Sequence, residues 1–133
     1  MVAWVLPASA AHAQPTFNKV FETSTVGPGS VSTLRFEIDN PDPVPVGEIA
    51  FTDNLPAGLS IATPGSASTD CGPSVTLSAP DGGTTISLTD GTLGPGEDCF
   101  VLVNVVSSAT PAPGVPVIHM NVSGMLTSTT GSA

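Results

Sequence analysis

Residues that could do catalytic chemistry are few in this sequence. His119 is the only histidine after residue 13, and it lies in an apolar, strand-like run where histidine is more often a satisfied or surface residue than a catalyst. No serine stands in a Gly-x-Ser-x-Gly elbow, and no glycine-rich segment fits a phosphate loop. Tyrosine is absent and Trp4 is the only tryptophan, so an aromatic sugar cleft around catalytic carboxylates is not expected. We therefore predict that the protein is not an enzyme and has no cofactor.

Acidic residues flank several loops that could meet at one end of the folded chain. Oxygen clusters of this kind bind calcium in some exported proteins. No loop has a known calcium-binding spacing, so the alternative is that these side chains are simply solvated. We assign no metal site and keep four calcium candidates, which a calcium-independent melting temperature would remove. They are Asp39, Asp42, Glu48 and Asp53.

Cys71 and Cys99 are the only two cysteines. An even number of cysteines in an exported chain indicates a disulfide. A loop of this length would remove about 3–4 kcal/mol of denatured-state entropy in the chain-entropy model. Two buried free thiols and half of a metal site are the alternatives, but two distant cysteines with one histidine make a poor zinc set. We predict a disulfide between Cys71 and Cys99.

Residues 1–13 have the features of a signal peptide. An apolar run at 1–6 is followed by Ala-His-Ala at 11–13, the small-x-small pattern that signal peptidase cleaves, which predicts a cut between Ala13 and Gln14. No basic residue precedes the run, so we expect the segment to be truncated at its start. An N-terminal strand or a short anchor is the alternative. The run is too short to span a bilayer. We predict export across the inner membrane to the medium or the cell surface.

The charge balance excludes two classes of partner. Eleven acidic residues stand against Lys19 and Arg35, for a formal net charge of −9. A surface that binds nucleic acid needs many cations to displace counterions, and an anionic membrane surface selects for the same residues. We therefore expect no nucleic-acid partner and no membrane insertion of the mature chain.

Apolar residues alternate with polar ones in short runs between fourteen glycines and fourteen prolines. In the clearest run, Leu34, Phe36 and Ile38 share one face. Residues 81–83 (Asp-Gly-Gly) are a hairpin signal, and Gly91 is assigned to a turn. No window has a helical repeat.

The sequence predicts an all-β, immunoglobulin-like β-sandwich of about seven to nine antiparallel strands. It spans residues 14–127, and 128–133 is predicted to be a linker or a truncated end. The strand candidates are 15–22, 31–40, 47–53, 59–61, 75–77, 86–88, 99–106 and 115–127.

The strand at 99–106 is apolar on both faces. Phe100, Leu102 and Val106 stand on the face opposite the one that carries Cys99, Val101, Val103 and Val105. One interpretation is that loops cover the strand on both sides. The other is an exposed apolar stripe that docks a neighbouring repeat or subunit.

Several short sequence segments, in their order along the chain, resemble those of a known protein family. The most specific is FTDNLPAGL at 51–59, and PTFNKVF at 15–21, Gly-Thr-Leu at 91–93 and the two cysteines support it. The chain resembles the conserved repeat domain of bacterial surface and secreted proteins, an immunoglobulin-like family of unknown molecular function. The resemblance implies tandem copies along an extracellular protein and no active site. Neighbouring repeats or subunits are the partners it implies. In FTDNLPAGL, Gly58 can supply a positive φ for a tight turn.

Lys19 is the only lysine and lies in the first predicted strand, whereas Asn121 lies in the last. Some surface immunoglobulin-like domains join such a pair by an isopeptide bond beside a buried acid, for which Glu37 and Asp53 are candidates here. The alternative is a lysine without covalent chemistry. Loss of one ammonia from the intact mass distinguishes the two.

Three functions remain open from the sequence. The first is a non-catalytic structural or adhesive module of a secreted or cell-surface bacterial protein, present as one of several repeats. The second is a module that binds carbohydrate or calcium through its acidic loops. The third is an accessory domain of a secreted enzyme.

Overall fold

The computed structural model describes residues 15–21, 31–107, 126–129 and 131–132. These residues form ten β-strands and contain no helix, so within them no helix is long and apolar enough to cross a membrane. The strands are β1 (Thr16–Phe21), β2 (Val31–Asp39), β3 (Val46–Asn54), β4 (Leu59–Ile61), β5 (Ser68–Thr69), β6 (Thr76–Ser78), β7 (Thr85–Leu93), β8 (Asp98–Ser107), β9 (Thr127–Ser128) and β10 (Gly131–Ser132).

The strands form two antiparallel sheets. The first has the order β1-β2-β8-β4, with β5 also paired to β8. The second has the order β10-β9-β3-β7-β6. The predicted all-β architecture is confirmed, and the two sheets with one shared core are consistent with a β-sandwich.

The core forms where the period-two pattern of each sheet turns apolar side chains to the same side. Leu34, Phe36 and Ile38 of β2 are fully buried, as their shared face predicts. Burial of each such side chain stabilises a domain by about 1.5–3 kcal/mol relative to exposure. Their partners in the core come from both sheets and include Val101, Val103, Val105, Ile49, Phe51, Ile86 and Leu88.

The predicted hairpin around residues 81–83 is confirmed. Its strands are β6 and β7, in which Leu77 lies opposite Leu88. Gly82 has a φ of 74°, and Gly58 in the preceding turn has a φ of 90°. Side chains rarely adopt this left-handed region, so glycine is the residue that both turns favour.

The turn predicted at Gly91 is wrong, because β7 continues through it to Leu93. Gly91 lies opposite Ile49 at a register shift in the β3–β7 pair, where Glu48 and Asp90 have positive φ values of 51° and 57°. A Cβ atom on Gly91 would lie 3.1 Å from the Cβ of Ile49. The glycine permits close strand approach at an irregularity rather than a chain reversal.

Strand β9 begins at the last residue of the predicted domain, Thr127, and β10 lies within 128–133, for which the sequence predicts a linker or a truncated end. Thr127 of β9 pairs with Ala50 of β3, and β10 pairs with β9. Thr129 donates its backbone N–H to the Gly47 carbonyl at 3.0 Å, and its Oγ1 accepts from the Gly47 N–H at 3.1 Å. These bonds attach residues 127–129 to the edge of the second sheet.

Asn40 connects two loops at one end of the molecule. Its side chain is buried and donates to the carbonyls of Val44 at 2.9 Å and Gly94 at 3.0 Å. Its Oδ1 accepts from the Asp42 N–H at 3.2 Å. This one amide therefore bonds both the loop between β2 and β3 and the loop between β7 and β8.

We expect Asn40→Ala to lower the free energy of unfolding by about 2 kcal/mol, because it removes three hydrogen bonds made by a buried side chain. Urea unfolding followed by circular dichroism measures the loss. Asn54→Ala is the matched control, since Asn54 is exposed and its side chain accepts only a surface bond from Thr85. Equal stability of the two variants would contradict the expectation.

Candidate functional site

Lys19 and Asp53 form a charged contact between the two sheets. In β1, Phe17, Lys19 and Phe21 alternate with exposed residues, so the lysine lies on the inward face. In β3, Asp53 follows Phe51 on the inward face of the opposite sheet. The Lys19 Nζ lies 3.2 Å from the Asp53 Oδ1, and the side chains are 12% and 0% exposed, respectively. A lysine and an aspartate, residue types that normally face water, thus meet in the space between the layers.

Aromatic rings surround this contact. The Lys19 Nζ lies 5.8 Å from the centroid of the Phe36 ring. Phe17, Phe36 and Phe51 pack on one another, with ring centroids 4.7–5.8 Å apart. A cation within about 6 Å of a ring is attracted by the ring quadrupole. The pair therefore has an apolar environment with a low effective dielectric.

Burial lowers the pKa of Lys19 below its ordinary value of 10.5. Desolvation by the aromatic surroundings is the largest cause, because it penalises the charged ammonium. The charge of Asp53 and the hydrogen bond to it act in the opposite direction. The uncharged, nucleophilic form of this amine is therefore more accessible than in an exposed lysine.

Glu37 is not the buried acid that the sequence analysis offered as an alternative to Asp53. Its side chain is 50% exposed and its Oε1 lies 2.9 Å from the Nε of Arg35 on the outer face of the sheet. Period-two alternation accounts for this, because Glu37 points away from the inward pair Phe36 and Ile38.

The predicted disulfide between Cys71 and Cys99 is present, with the Cα atoms 5.1 Å apart. Cys99 lies in β8 and Cys71 in the segment that leaves the first sheet after β5. The Cys71 carbonyl accepts from the Thr92 N–H of β7, so this segment is also bonded to the second sheet. Disulfides persist in non-reducing environments, and the bond therefore indicates one.

The four calcium candidates have different surroundings. Asp39 and Glu48 are exposed, Asp42 is 8% exposed, and Asp53 faces Lys19. In the part of the chain that the structure describes, the one group of three metal-ligand side chains with converging atoms is Asp70, Cys71 and Cys99. Its two sulfurs are already joined to each other. Calcium binding at the four candidates stays a prediction.

A shallow groove of about 430 Å³ lies beside the disulfide. Three carboxylates line it, from Asp70, Glu97 and Asp98. Asp70 accepts from the Phe100 N–H at 2.8 Å, and Glu97 accepts from the Gly94 N–H at 2.9 Å. At least two of the acids therefore support the loops that carry them.

Phe100 and Leu102 lie on the outer face of β8 and are half-buried. Leu102 lies opposite Arg35 of β2, whose guanidinium carbon is 5.6 Å from the centroid of the Phe100 ring. On its other side, Leu102 pairs with Ser68 of β5. Neighbouring side chains thus cover part of the stripe, and its role as an interface stays a prediction.

Several sequence predictions fall outside the described residues. They are the signal peptide at 1–13 with its cleavage site between Ala13 and Gln14, residues 115–125 of the strand candidate at 115–127, His119, and the isopeptide acceptor Asn121 that the sequence suggested.

The fold and the site define a class of protein: an all-β domain of two antiparallel sheets with one disulfide and a buried lysine–aspartate pair between the layers. The chain belongs to the family described as Domain of unknown function (DUF7933), which matches residues 15–133. Among curated proteins, none matches the sequence at a significant level.

Proposed function

We propose that this chain is a non-catalytic, immunoglobulin-like structural or adhesive module of a secreted or cell-surface bacterial protein, present as one of several tandem copies. The observation that supports it best is the use of the chain's reactive side chains. Both cysteines are joined in the disulfide, and the only lysine faces a buried aspartate. These groups hold segments of the fold together, which is what a scaffold requires.

The order of the strands supports the immunoglobulin-like part of the proposal. A variable-type immunoglobulin domain has one sheet with the order ABED, and extends the other sheet, GFC, by C′ and C″. The orders β1-β2-β8-β4 and β10-β9-β3-β7-β6 can be matched to these positions strand by strand. Two differences remain in the chain order. Strand β4 precedes β6 and β7 whereas strand D follows C″, and β6, at the C″ position, precedes β7, at the C′ position.

Two measurements on the full-length gene product test the proposal. Protease treatment of intact cells, with recovery of the growth medium, should find the domain outside the cell with its cysteines oxidised. Replacement of the domain by an unrelated β-sandwich of similar length should preserve the activity of the parent protein if the module acts as a spacer. Retention in the cytosol with free thiols would overturn the proposal.

The replacement experiment also tests the alternatives. Loss of carbohydrate or calcium binding after replacement, with normal export, would indicate a ligand-binding module. Loss of a catalytic activity located elsewhere in the parent protein would indicate an accessory domain.

Phe100→Ser tests whether neighbouring copies dock through β8. If Phe100 and Leu102 form an interface, we expect the variant to abolish compact association of adjacent copies in small-angle scattering of the full-length protein. The fold should remain, because Phe100 lies on the outer face and not in the core. Val20→Ser is the matched control, since Val20 is an exposed apolar residue of β1. Indistinguishable scattering from wild type and Phe100→Ser would contradict docking through this stripe.

A further inference from the structure

A carboxylate lies beside the two sulfurs of the disulfide. The ligand atoms of Asp70, Cys71 and Cys99 all lie within 4.8 Å of one another. Thiolates and carboxylates both bind zinc, with about 2.3 Å to sulfur and about 2.0–2.2 Å to oxygen. From sequence, two distant cysteines and one histidine made a poor zinc set. The fold brings the cysteines together and adds the carboxylate that directly precedes Cys71.

We propose that Asp70, Cys71 and Cys99 form a zinc site when the disulfide is reduced. A dithiol supplies two electrons and two protons and becomes a disulfide itself, while the bond between the two cysteines breaks into two thiols. Zinc then displaces the thiol protons and binds both thiolates. The segment after β5 is thus joined to β8 by a disulfide in a non-reducing environment and by zinc in a reducing one. The site goes beyond the proposed scaffold function, which concerns the oxidised chain.

Hydrogen bonds hold the three ligands together independently of the disulfide. The Oδ1 of Asp70 accepts from the Phe100 N–H at 2.8 Å. The Oγ1 of Thr69 donates to the Phe100 carbonyl at 2.9 Å and accepts from the Cys71 N–H at 3.2 Å. The Cys71 carbonyl accepts from the Thr92 N–H at 2.8 Å. Because none of these bonds involves a sulfur, reduction should leave the ligands in place, and zinc then binds without the cost of ordering them.

The surroundings of the ligands also suit a metal ion. The bond to Phe100 orients the Asp70 carboxylate through one oxygen, as outer-shell partners do for metal ligands, and the other oxygen can bind the ion. Asp70 is exposed and lines the groove beside the disulfide, so the groove provides an entry path. Glu97 and Asp98 line the same groove and attract cations to it. Water can take the fourth position around a tetrahedral zinc.

Zinc titration of the folded protein against a chromogenic chelator is the first test. A phosphine is the reductant, because it is oxidised with oxygen from water and adds no competing thiolate. We expect the reduced wild type to bind one equivalent of zinc and the oxidised wild type to bind none. Asp70→Asn should weaken binding by about tenfold or more, since it keeps an oxygen for the Phe100 N–H but loses the charge. Asp98→Asn is the matched control and should bind like wild type, because Asp98 is an exposed aspartate of the same groove outside the converging ligands.

Cobalt(II) in place of zinc reports the sulfur ligands directly. The reduced wild type should show thiolate-to-cobalt charge-transfer absorption in the near ultraviolet. Cys71→Ser and Cys99→Ser should each lose most of this absorption, because a single thiolate remains in each variant. Circular dichroism shows whether each variant folds.

Urea unfolding separates a folded site from two thiols on a flexible chain. A metal raises the urea midpoint only if it binds the native state more tightly than the unfolded chain. We therefore expect zinc to raise the midpoint of the reduced wild type. The midpoints of the oxidised wild type and of Cys71→Ala/Cys99→Ala should not change.

Three results would contradict the zinc site. Equal zinc binding by the oxidised and reduced wild type would assign the metal to exposed carboxylates alone. An unchanged midpoint of the reduced wild type in zinc would show that the fold does not assemble the ligands. Equal weakening by Asp70→Asn and Asp98→Asn would remove Asp70 from the ligand set.

Discussion

Asp53→Ala is expected to be less stable than the double variant Lys19→Met/Asp53→Ala by about 3–5 kcal/mol. The single variant leaves the Lys19 ammonium between the sheets without its counter-charge, whereas the double variant removes both charges and keeps an unbranched apolar chain. The Lys19 side chain is only 12% exposed, so water does not replace the lost carboxylate. The two variants differ only at residue 19, and the comparison therefore isolates the buried charge of Lys19.

Urea unfolding of the two variants at neutral pH measures this difference. Asp39→Ala is the matched control, because Asp39 is an exposed aspartate in β2. Its removal should change the free energy of unfolding by no more than about 0.5 kcal/mol. If Asp53→Ala were as stable as the double variant, the lysine would have reached solvent, and the inter-sheet contact would contribute nothing to stability.

The difference in free energy of unfolding between Asp53→Ala and the double variant should shrink as the pH rises. Burial lowers the pKa of Lys19 in the folded state, so between that value and the unfolded pKa of 10.5 the unfolded chain binds more protons. Stability therefore increases with pH across this window, and the penalty is fully present only below it. Without Asp53, which raises the pKa of Lys19, the window should extend to lower pH. Urea unfolding of Asp53→Ala and of the double variant at neutral and at alkaline pH measures whether the difference between them decreases.

Period-two alternation made the core predictable where apolar residues alternate with polar ones. It placed Leu34, Phe36 and Ile38 on one face of β2, and all three are buried. The same alternation puts Lys19 inward beside Phe17 and Phe21, and Asp53 inward beside Phe51. The signal for the buried pair was therefore present in the sequence.

Only the tertiary fold could show that these two inward charges meet. Lys19 and Asp53 lie 34 residues apart, on strands that do not pair with each other. Local patterns report which face a residue occupies, but not which residue lies opposite in the other sheet. From sequence, Asp53 fitted a calcium cluster as well as a partner for lysine, and the choice depends on packing across the layers.

Glycine was ambiguous for a related reason. At Gly58 and Gly82 the predicted turns are correct, because both residues adopt a positive φ. Gly91 has the same local signal but lies within β7, where an added Cβ atom would be 3.1 Å from the Cβ of Ile49, a tight contact. The sequence alone does not distinguish a glycine that is needed for a positive φ in a turn from one that is needed for the close approach of a neighbouring strand. The pairing register of the strands distinguishes them.

Reduction of the Cys71–Cys99 disulfide should lower the free energy of unfolding by about 3–4 kcal/mol, from the loop entropy that the bond removes from the denatured chain. The bond spans a sequence separation of 28 residues and ties the segment after β5 to β8. Because the native contacts of both sheets remain after reduction, we expect the reduced protein to keep its fold at a lower midpoint. Urea unfolding with and without a thiol reductant measures the difference.

The double variant Cys71→Ala/Cys99→Ala is the control for this measurement. Both cysteines are buried, so the variant also loses some packing, but the reductant should leave its midpoint unchanged. If oxidised and reduced wild type unfolded at the same urea concentration, the denatured chain would already be constrained near these residues. If reduction unfolded the domain outright, the two sheets would depend on the bond, and the domain would fold only where disulfides persist.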